Sequence, residues 1–443
     1  MQQLTRFIGV VAALIVLLSS FNTGECAVVN SNSRLSQAQY WVSKLAAPDE
    51  VIMSPTEIND YNAEIRAGLP DTVFDLRVYP ASLFGKTLTE LLTASSFPKD
   101  RVYAQGMPAS AGFFANLHNQ INLGGVKDYN EVGYGLTATR TNVRTFPTNT
   151  GIFKTAGDRD FDLFQETALN PGEPVVILHK SADAKWYFVQ TANYRGWVPT
   201  ANVALASDRQ EWLKYLNEES FLVVTANKIS LPDSTKAPLV FEMGAKLILA
   251  KSEPSNSGSY LVKLPARDDQ GKLYFKQAVI AKSADVSVGY LPYTRANIIE
   301  QAFKTYGMLY GWGGLHDSVD CSSLTMNIYR SFGFALPRNA DQQEVKVGKT
   351  VHLTQDPGKR AVQLNSLEPG ATLHMNGHVM LYLGKDSGKF YTIHSLASYV
   401  ERLNDGTLRR VRPMKVVVSD LDLVRGNGKT FAQSLTVVKN IEW

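Results

Sequence analysis

The stretch Tyr310-Gly311-Trp312-Gly313-Gly314-Leu315-His316-Asp317-Ser318-Val319-Asp320-Cys321-Ser322-Ser323-Leu324 sets a cysteine at the end of a glycine-rich loop. Periodicity starts a helix at that point. Asp320 stands where an N-cap belongs, and Leu324, Ile328 and Phe332 recur four apart on one face. A thiol at a helix N-terminus is more readily ionised because of the dipole, whereas adjacent Asp320 opposes a second negative charge, so the residues leave the net sign open. Nucleophilic use of such a thiol requires a base to take its proton and a third polar group to orient that base.

Two histidines downstream suit those roles. His378-Val379-Met380-Leu381-Tyr382-Leu383 and Phe390-Tyr391-Thr392-Ile393-His394 flank the turn-rich Gly384-Lys385-Asp386-Ser387-Gly388, a pattern that predicts a hairpin. If Leu383 pairs with Lys389, His378 lies directly opposite His394 with both side chains on one face. His118, His179, His316, His352 and His374 have no such partner pattern, and no metal-ligand spacing joins them.

With these go Leu336-Pro337-Arg338 and Gln343, Leu367-Glu368-Pro369-Gly370, and Gly377-His378-Val379 with Tyr382-Leu383-Gly384. Taken in order over residues 293 to about 425, the blocks resemble the NlpC/P60 family of papain-like cell-wall cysteine peptidases. The resemblance implies a papain-like α+β domain at 293–443, with Cys321 as nucleophile, His378 as general base and later acid, and His394 orienting His378. It implies an oxyanion hole made by the Tyr310 hydroxyl and the Cys321 N–H, and a substrate groove involving Trp312, Asp320, Ser322 and Arg338. Arg338 and Ser322 match positions that hold the free carboxylate of a D-glutamate residue. The implied reaction is hydrolysis of the bond between the D-glutamate side-chain carboxyl and a diamino acid in peptidoglycan stem peptides, through a thioester and with no metal or other cofactor. One position departs from the pattern. Asn339 stands where members selecting a free N-terminal L-alanine often carry an acid or hydroxyl, and a neutral amide attracts an ammonium less than a carboxylate does. Two rival readings share these residues: a wall-binding scaffold with an inert domain, and an acyltransferase or amidase using the same thiol.

The rest of the chain sets the context. Arg6 and the apolar run Phe7 to Leu18 read as a signal peptide over 1–26, too short for a comfortable membrane span. An exported protein, periplasmic or associated with the envelope, is expected. Cys26 raises membrane anchorage by lipidation, but Glu25 before it departs from the small-residue pattern, so a soluble form is the stronger expectation. The 443 residues, 44% apolar and 19% charged, suit several globular domains, and a net charge of +4 without a basic run gives no indication of nucleic acid as a partner. Peptidoglycan or its muropeptides are the partners expected.

The organisation predicted is a multidomain α+β chain. A helical, loop-rich accessory region at 34–131 comes first. A small barrel at 132–207 follows, with Thr137–Thr141 as one strand, and its Gly172-Glu173-Pro174-Val175, Trp186-Tyr187-Phe188-Val189 and Gly196-Trp197-Val198 steps are similar to bacterial SH3 (SH3b) domains. After the helical connector Asp208–Leu216, a second SH3b-like barrel is expected at 219–292 on fewer marks. The barrels are expected to bind wall components or to roof the groove, with Tyr194 as the candidate contact.

Overall fold

The structure is a computed structural model that describes residues 28–232, 237–250, 258–344, 348–403 and 405–443. The expected signal peptide and Cys26 lie outside the described residues.

The accessory segment divides between two cores. Its first half carries helix α1 (Pro55–Gly68), started by a reciprocal Ser54/Glu57 capping box and Pro55 in the first turn. Ile58, Tyr61 and Ile65 fall on one face of α1 and bury against the C-terminal domain, where Tyr61 meets Phe334 and Trp443 edge-on at 5.5 Å each. Trp41 is fully buried in the same core against Tyr391. The second half carries α2 (Gly85–Leu92) and α3 (Ala111–Gln120), whose Leu88, Leu92 and Leu117 join the core of the first barrel. Phe97 stacks on the barrel's Phe146 at 4.3 Å.

That barrel is an antiparallel sheet of seven strands, β1 (Gly133–Thr137), β2 (Thr141–Arg144), β3 (Gln165–Leu169), β4 (Pro174–Lys180), β5 (Trp186–Gln190), β6 (Arg195–Pro199) and β7 (Val203–Leu205), in the order β7-β1-β4-β5-β6-β2-β3. The run from Thr137 to Thr141 is therefore not one strand, as its β-branched residues suggest. It bends at Ala138–Arg140, which frees Arg140 from the ladder and sends it out of the barrel.

After the connector helix α4 (Arg209–Leu216), capped by Asp208, comes a second β unit with its own core. It contains β8 (Phe221–Val224), β9 (Lys228–Leu231), β10 (Leu239–Glu242), β11 (Lys246–Leu249), β12 (Ser259–Arg267), β13 (Leu273–Ala281) and β14 (Val286–Val288). Five strands form a sheet in the order β13-β12-β11-β8-β14, and β9 and β10 make a separate hairpin.

The C-terminal domain places α5 (Arg295–Lys304) and α6 (Cys321–Arg330) against the six-stranded antiparallel sheet β15-β22-β16-β17-β18-β21. Its strands are β15 (Lys349–His352), β16 (Thr372–Met375), β17 (His378–Asp386), β18 (Lys389–Leu396), β21 (Lys415–Asp420) and β22 (Val437–Asn440), and β19 (Tyr399–Arg402) and β20 (Leu408–Val411) form a small outlying hairpin. Leu324, Ile328 and Phe332 are buried as the fourfold spacing predicts. Every residue of α6 from Cys321 to Tyr329 is buried, because the helix is covered on all sides.

Arg140 fastens three units together. Its guanidinium pairs with Glu242 at 2.6 Å and Asp317 at 3.1 Å and donates to the Gly314 carbonyl at 2.7 Å. Glu242 in turn accepts from Asn327 on α6 at 3.4 Å. Removing one partner of a largely buried pair leaves an uncompensated charge, which costs about 3–5 kcal/mol. Arg140→Ala is therefore expected to lower the chemical-denaturation midpoint clearly, and Arg140→Met/Glu242→Gln to recover part of the loss. Equal stability of Arg140→Ala and wild type would show that the clamp carries no weight.

Candidate active site

Cys321 is the first residue of α6. The Asp320 carboxylate caps the helix by accepting from Ser323 N at 2.9 Å, while Ser323 Oγ accepts from Asp320 N at 3.0 Å. Asp320 also accepts from Gly313 N at 3.0 Å, so one carboxylate holds both the helix start and the glycine loop before it. Its charge is met by Arg338, with Nη2 at 2.6 Å and Nη1 at 3.2 Å. Arg338 is itself only 2% exposed. Its remaining bonds run from Nη1 to Ser322 Oγ at 2.9 Å and from Nε to Thr167 Oγ1 of barrel strand β3 at 2.8 Å. Of five N–H donors, one on Nη2 is left over. The free fork expected to clamp a substrate carboxylate is thus already filled from within the chain, and Arg338 holds Asp320 and Ser322 in place.

The glycines of the loop are required by the barrel. Gly313 has φ +57°, and a Cβ there would lie 2.7 Å from Gln165 Cγ and 3.0 Å from its carbonyl. At Gly314, φ +82°, a Cβ would meet that of Ala168 at 2.7 Å. This close approach lets Gln165 Nε2 donate to the Gly313 carbonyl at 2.7 Å.

The histidines come together by a register other than the one predicted. The hairpin turn is the two-residue Ser387-Gly388, at φ +46° and +82°, as tight hairpins require, and Lys385 and Asp386 are paired strand residues. Leu381 pairs with Ile393 and Tyr382 with Thr392, whereas Gly384 pairs with Tyr391, which leaves Leu383 as a bulge. Continuing the ladder sets Met380, not His378, opposite His394. The displacement from the expected register at this end of the hairpin is two residues, an even number, so both imidazoles stay on the same face as diagonal neighbours. His378 Nε2 lies 2.7 Å from His394 Nδ1, and His394 Nε2 lies 2.9 Å from Ser419 Oγ on β21. His394 and Ser419 are both fully buried. Nothing in the local sequence singles out Ser419, which reaches the site because β21 pairs beside β18.

Burial governs the electrostatics. It pushes the Cys321 thiol up to about 12, and Asp320 adds to the rise, while the N–H groups of Val379 and Ser322 and the Arg338 charge pull the other way. Burial likewise pushes the His378 imidazole down to about 4, with Arg425 adding to the fall, and holds His394 well below its ordinary value. For Asp320, burial works against the charge, but Arg338 and Ser323 outweigh it and keep the carboxyl below its ordinary range. Desolvation thus favours the neutral form of both the thiol and the imidazole, and Asp320 adds to that preference at the sulfur.

Tyr310 is buried close enough to Cys321 and Asp320 for their charges to raise its phenol further, after burial has already raised it, so it is a neutral O–H donor. Phe161 of the barrel packs 5.9 Å from Tyr310 and 5.7 Å from Trp312, whose Nε1 donates to the Asp162 carbonyl at 3.0 Å. On another side, the Tyr194 hydroxyl donates to Glu166 of β3, in a recess that Asn339 and Gln342 also line. Thr167, Glu166 and Gln165 escape the sequence reading because their strand sits in a different domain from the thiol.

Iodoacetamide labelling of native Cys321 tests the resting state. The rate is expected to keep climbing above pH 8.5, and a plateau through the neutral range would instead reveal a preformed thiolate–imidazolium pair.

The sequence of residues 307–404 matches the model of the NlpC/P60 family, and residues 151–199 match an SH3 domain of the SH3b1 type. A comparison with curated proteins returns no match. Among solved structures, an NlpC/P60 endopeptidase from Photobacterium damselae subsp. piscicida is similar at 17% identity and a TM-score of 0.73, covering 91% of this chain and 96% of that one. An NlpC/P60 family protein from Bacillus cereus is 18% identical with a TM-score of 0.47, covering 70% of this chain and 99% of that one. The chain therefore joins an SH3b domain to an NlpC/P60 domain in a mixed α/β architecture, with the fold of that family's cell-wall peptidases.

Proposed function

We propose that this chain is an exported cysteine endopeptidase that hydrolyses the γ-D-glutamyl–diamino acid bond of peptidoglycan stem peptides. The observation that carries the reading is the relay from half-buried His378 through buried His394 and Ser419, on the sheet facing a helix that begins at Cys321. In this reading His378 takes the Cys321 proton as the sulfur attacks the γ-carbonyl. The Tyr310 hydroxyl and the Cys321 N–H receive the developing oxyanion, each such donor contributing about 3 kcal/mol. His378 then returns the proton to the leaving amine, and water resolves the thioester by the same route. His394, held by Ser419, keeps the His378 ring in line. The spare Arg338 N–H and the Ser322 hydroxyl, which at rest donates to Asp320 at 3.3 Å, are the donors left for the D-glutamate carboxylate.

Glu166 answers the departure at Asn339. An acid from the barrel, fixed by Tyr194 beside Asn339, supplies the negative charge that a free alanine ammonium needs. The first barrel thereby roofs the groove as well as holding Arg338 through Thr167. The β unit at 221–288 is proposed as a second SH3b-like module, and the apolar N-terminal run as the export signal.

The test is mass spectrometry of L-Ala-γ-D-Glu-diamino acid peptides, with and without N-acetylation, incubated with wild type and Cys321→Ala. Cleavage after D-glutamate by the wild type alone is expected, with acetylation lowering kcat/KM about tenfold and Glu166→Gln narrowing that gap. No cleavage of any stem peptide by folded protein would favour the wall-binding scaffold instead. The acid limb of kcat/KM should lie below the ordinary imidazole range, because a lowered His378 value keeps the base neutral to lower pH. Arg425→Ala removes a positive charge that disfavours the imidazolium, so it should move the limb to higher pH.

A further inference from the structure

Beside Trp312 lies a recess that shares no lining residue with the one at Glu166 and Tyr194. Its apolar wall is Trp312 and Phe161, and its rim carries Lys154, Arg410 and Arg412 from the barrel and from hairpin strand β20 and its continuation. The charges around it do not cancel. Arg412 is paired with Asp160 at 2.7 Å, which leaves Lys154 and Arg410 against the single carboxylate of Asp158 in the lining, a net positive charge. Lys154 and Arg410 are exposed and stand over the recess without a described acidic partner. The recess is tied to the thiol side of the site. Met414, two residues after Arg412, accepts from Tyr310 N at 2.8 Å, and Phe161 packs on both Tyr310 and Trp312.

The two recesses thus have opposite net charge, one acidic through Glu166 and Asp71 against Arg195, and one basic. We propose that the basic recess is an anion subsite that binds the carboxylate of the leaving portion of the substrate. This rests on the peptidase reading above. When the thioester forms, the C–N bond to the diamino acid breaks, and the departing amine takes its proton from His378. That departing piece bears a carboxylate, either its own or that of a residue attached to it, whereas the acyl portion retained on sulfur carries the ammonium suited to Glu166. Trp312 and Phe161 give the aliphatic stem of the diamino acid an apolar surface, and Lys154 and Arg410 supply charge-assisted donors to its carboxylate.

The test uses Cys321→Ala in the full chain, so that binding is read apart from cleavage. Ligand-observed NMR titration with lysyl-D-alanine and with its C-terminal amide should show the acid binding about fivefold tighter, a modest figure because the cations are solvated. The added changes Lys154→Ala and Arg410→Ala, both at exposed positions outside the cores, should bring the ratio close to one. Equal affinity for acid and amide, including no binding of either, overturns the subsite, as does a ratio that survives the charge removal. Hydrolysis by the wild type is scored separately. A charge-dependent ratio without hydrolysis would uphold the anion subsite and overturn only the peptidase reading.

Discussion

The buried ion pair between Asp320 and Arg338 is the constraint on which the site depends. One carboxylate caps the helix that begins at Cys321, holds the glycine loop through Gly313 N and takes up the Arg338 fork. A buried charge of this kind is tolerated only when its hydrogen-bonding capacity is met. Part of that demand is met from another domain, since Thr167 of the barrel accepts from the guanidinium Nε. The barrel is therefore structural to the site and not merely attached to it. Gly313 and Gly314 follow from the same need, for the barrel strand approaches too closely to admit a side chain.

Packing of this closeness also sets the chemistry. A thiol and an imidazole removed from water both favour their neutral forms, and burial pushes both groups that way here. In the proposed mechanism the proton moves only when a substrate carbonyl accepts the sulfur. The Glu166 recess and the rim near Trp312 carry opposite net charge.

The hairpin shows how a local reading succeeds through a wrong intermediate. Alternation along His378–Leu383 and Phe390–His394 identifies two strands and the face that the imidazoles share. It does not reveal the bulge at Leu383 or the two-residue turn at Ser387-Gly388, each of which alters the pairing. The displacement near the histidines is even, so the face is preserved and the contact becomes diagonal. An odd displacement would have separated them. Likewise, β-branched residues from Thr137 to Thr141 suggest a single strand, but the interdomain pull on Arg140 by Glu242 and Asp317 accompanies a bend there.

What the sequence alone determined is what depends on near neighbours along the chain: the cap at Asp320, the amphipathic face of α6, the strands bearing His378 and His394, and the ordered blocks of the NlpC/P60 pattern. The tertiary structure decided everything that required an approach between distant segments. Ser419 becomes part of the relay by sheet pairing, Thr167 and Glu166 enter the site from another domain, and Arg338 is turned inward by an acid of its own chain. The reason is physical. Local periodicity records which face of an element is buried, but not against what, and the partners of a buried polar group are chosen by the packing that surrounds it.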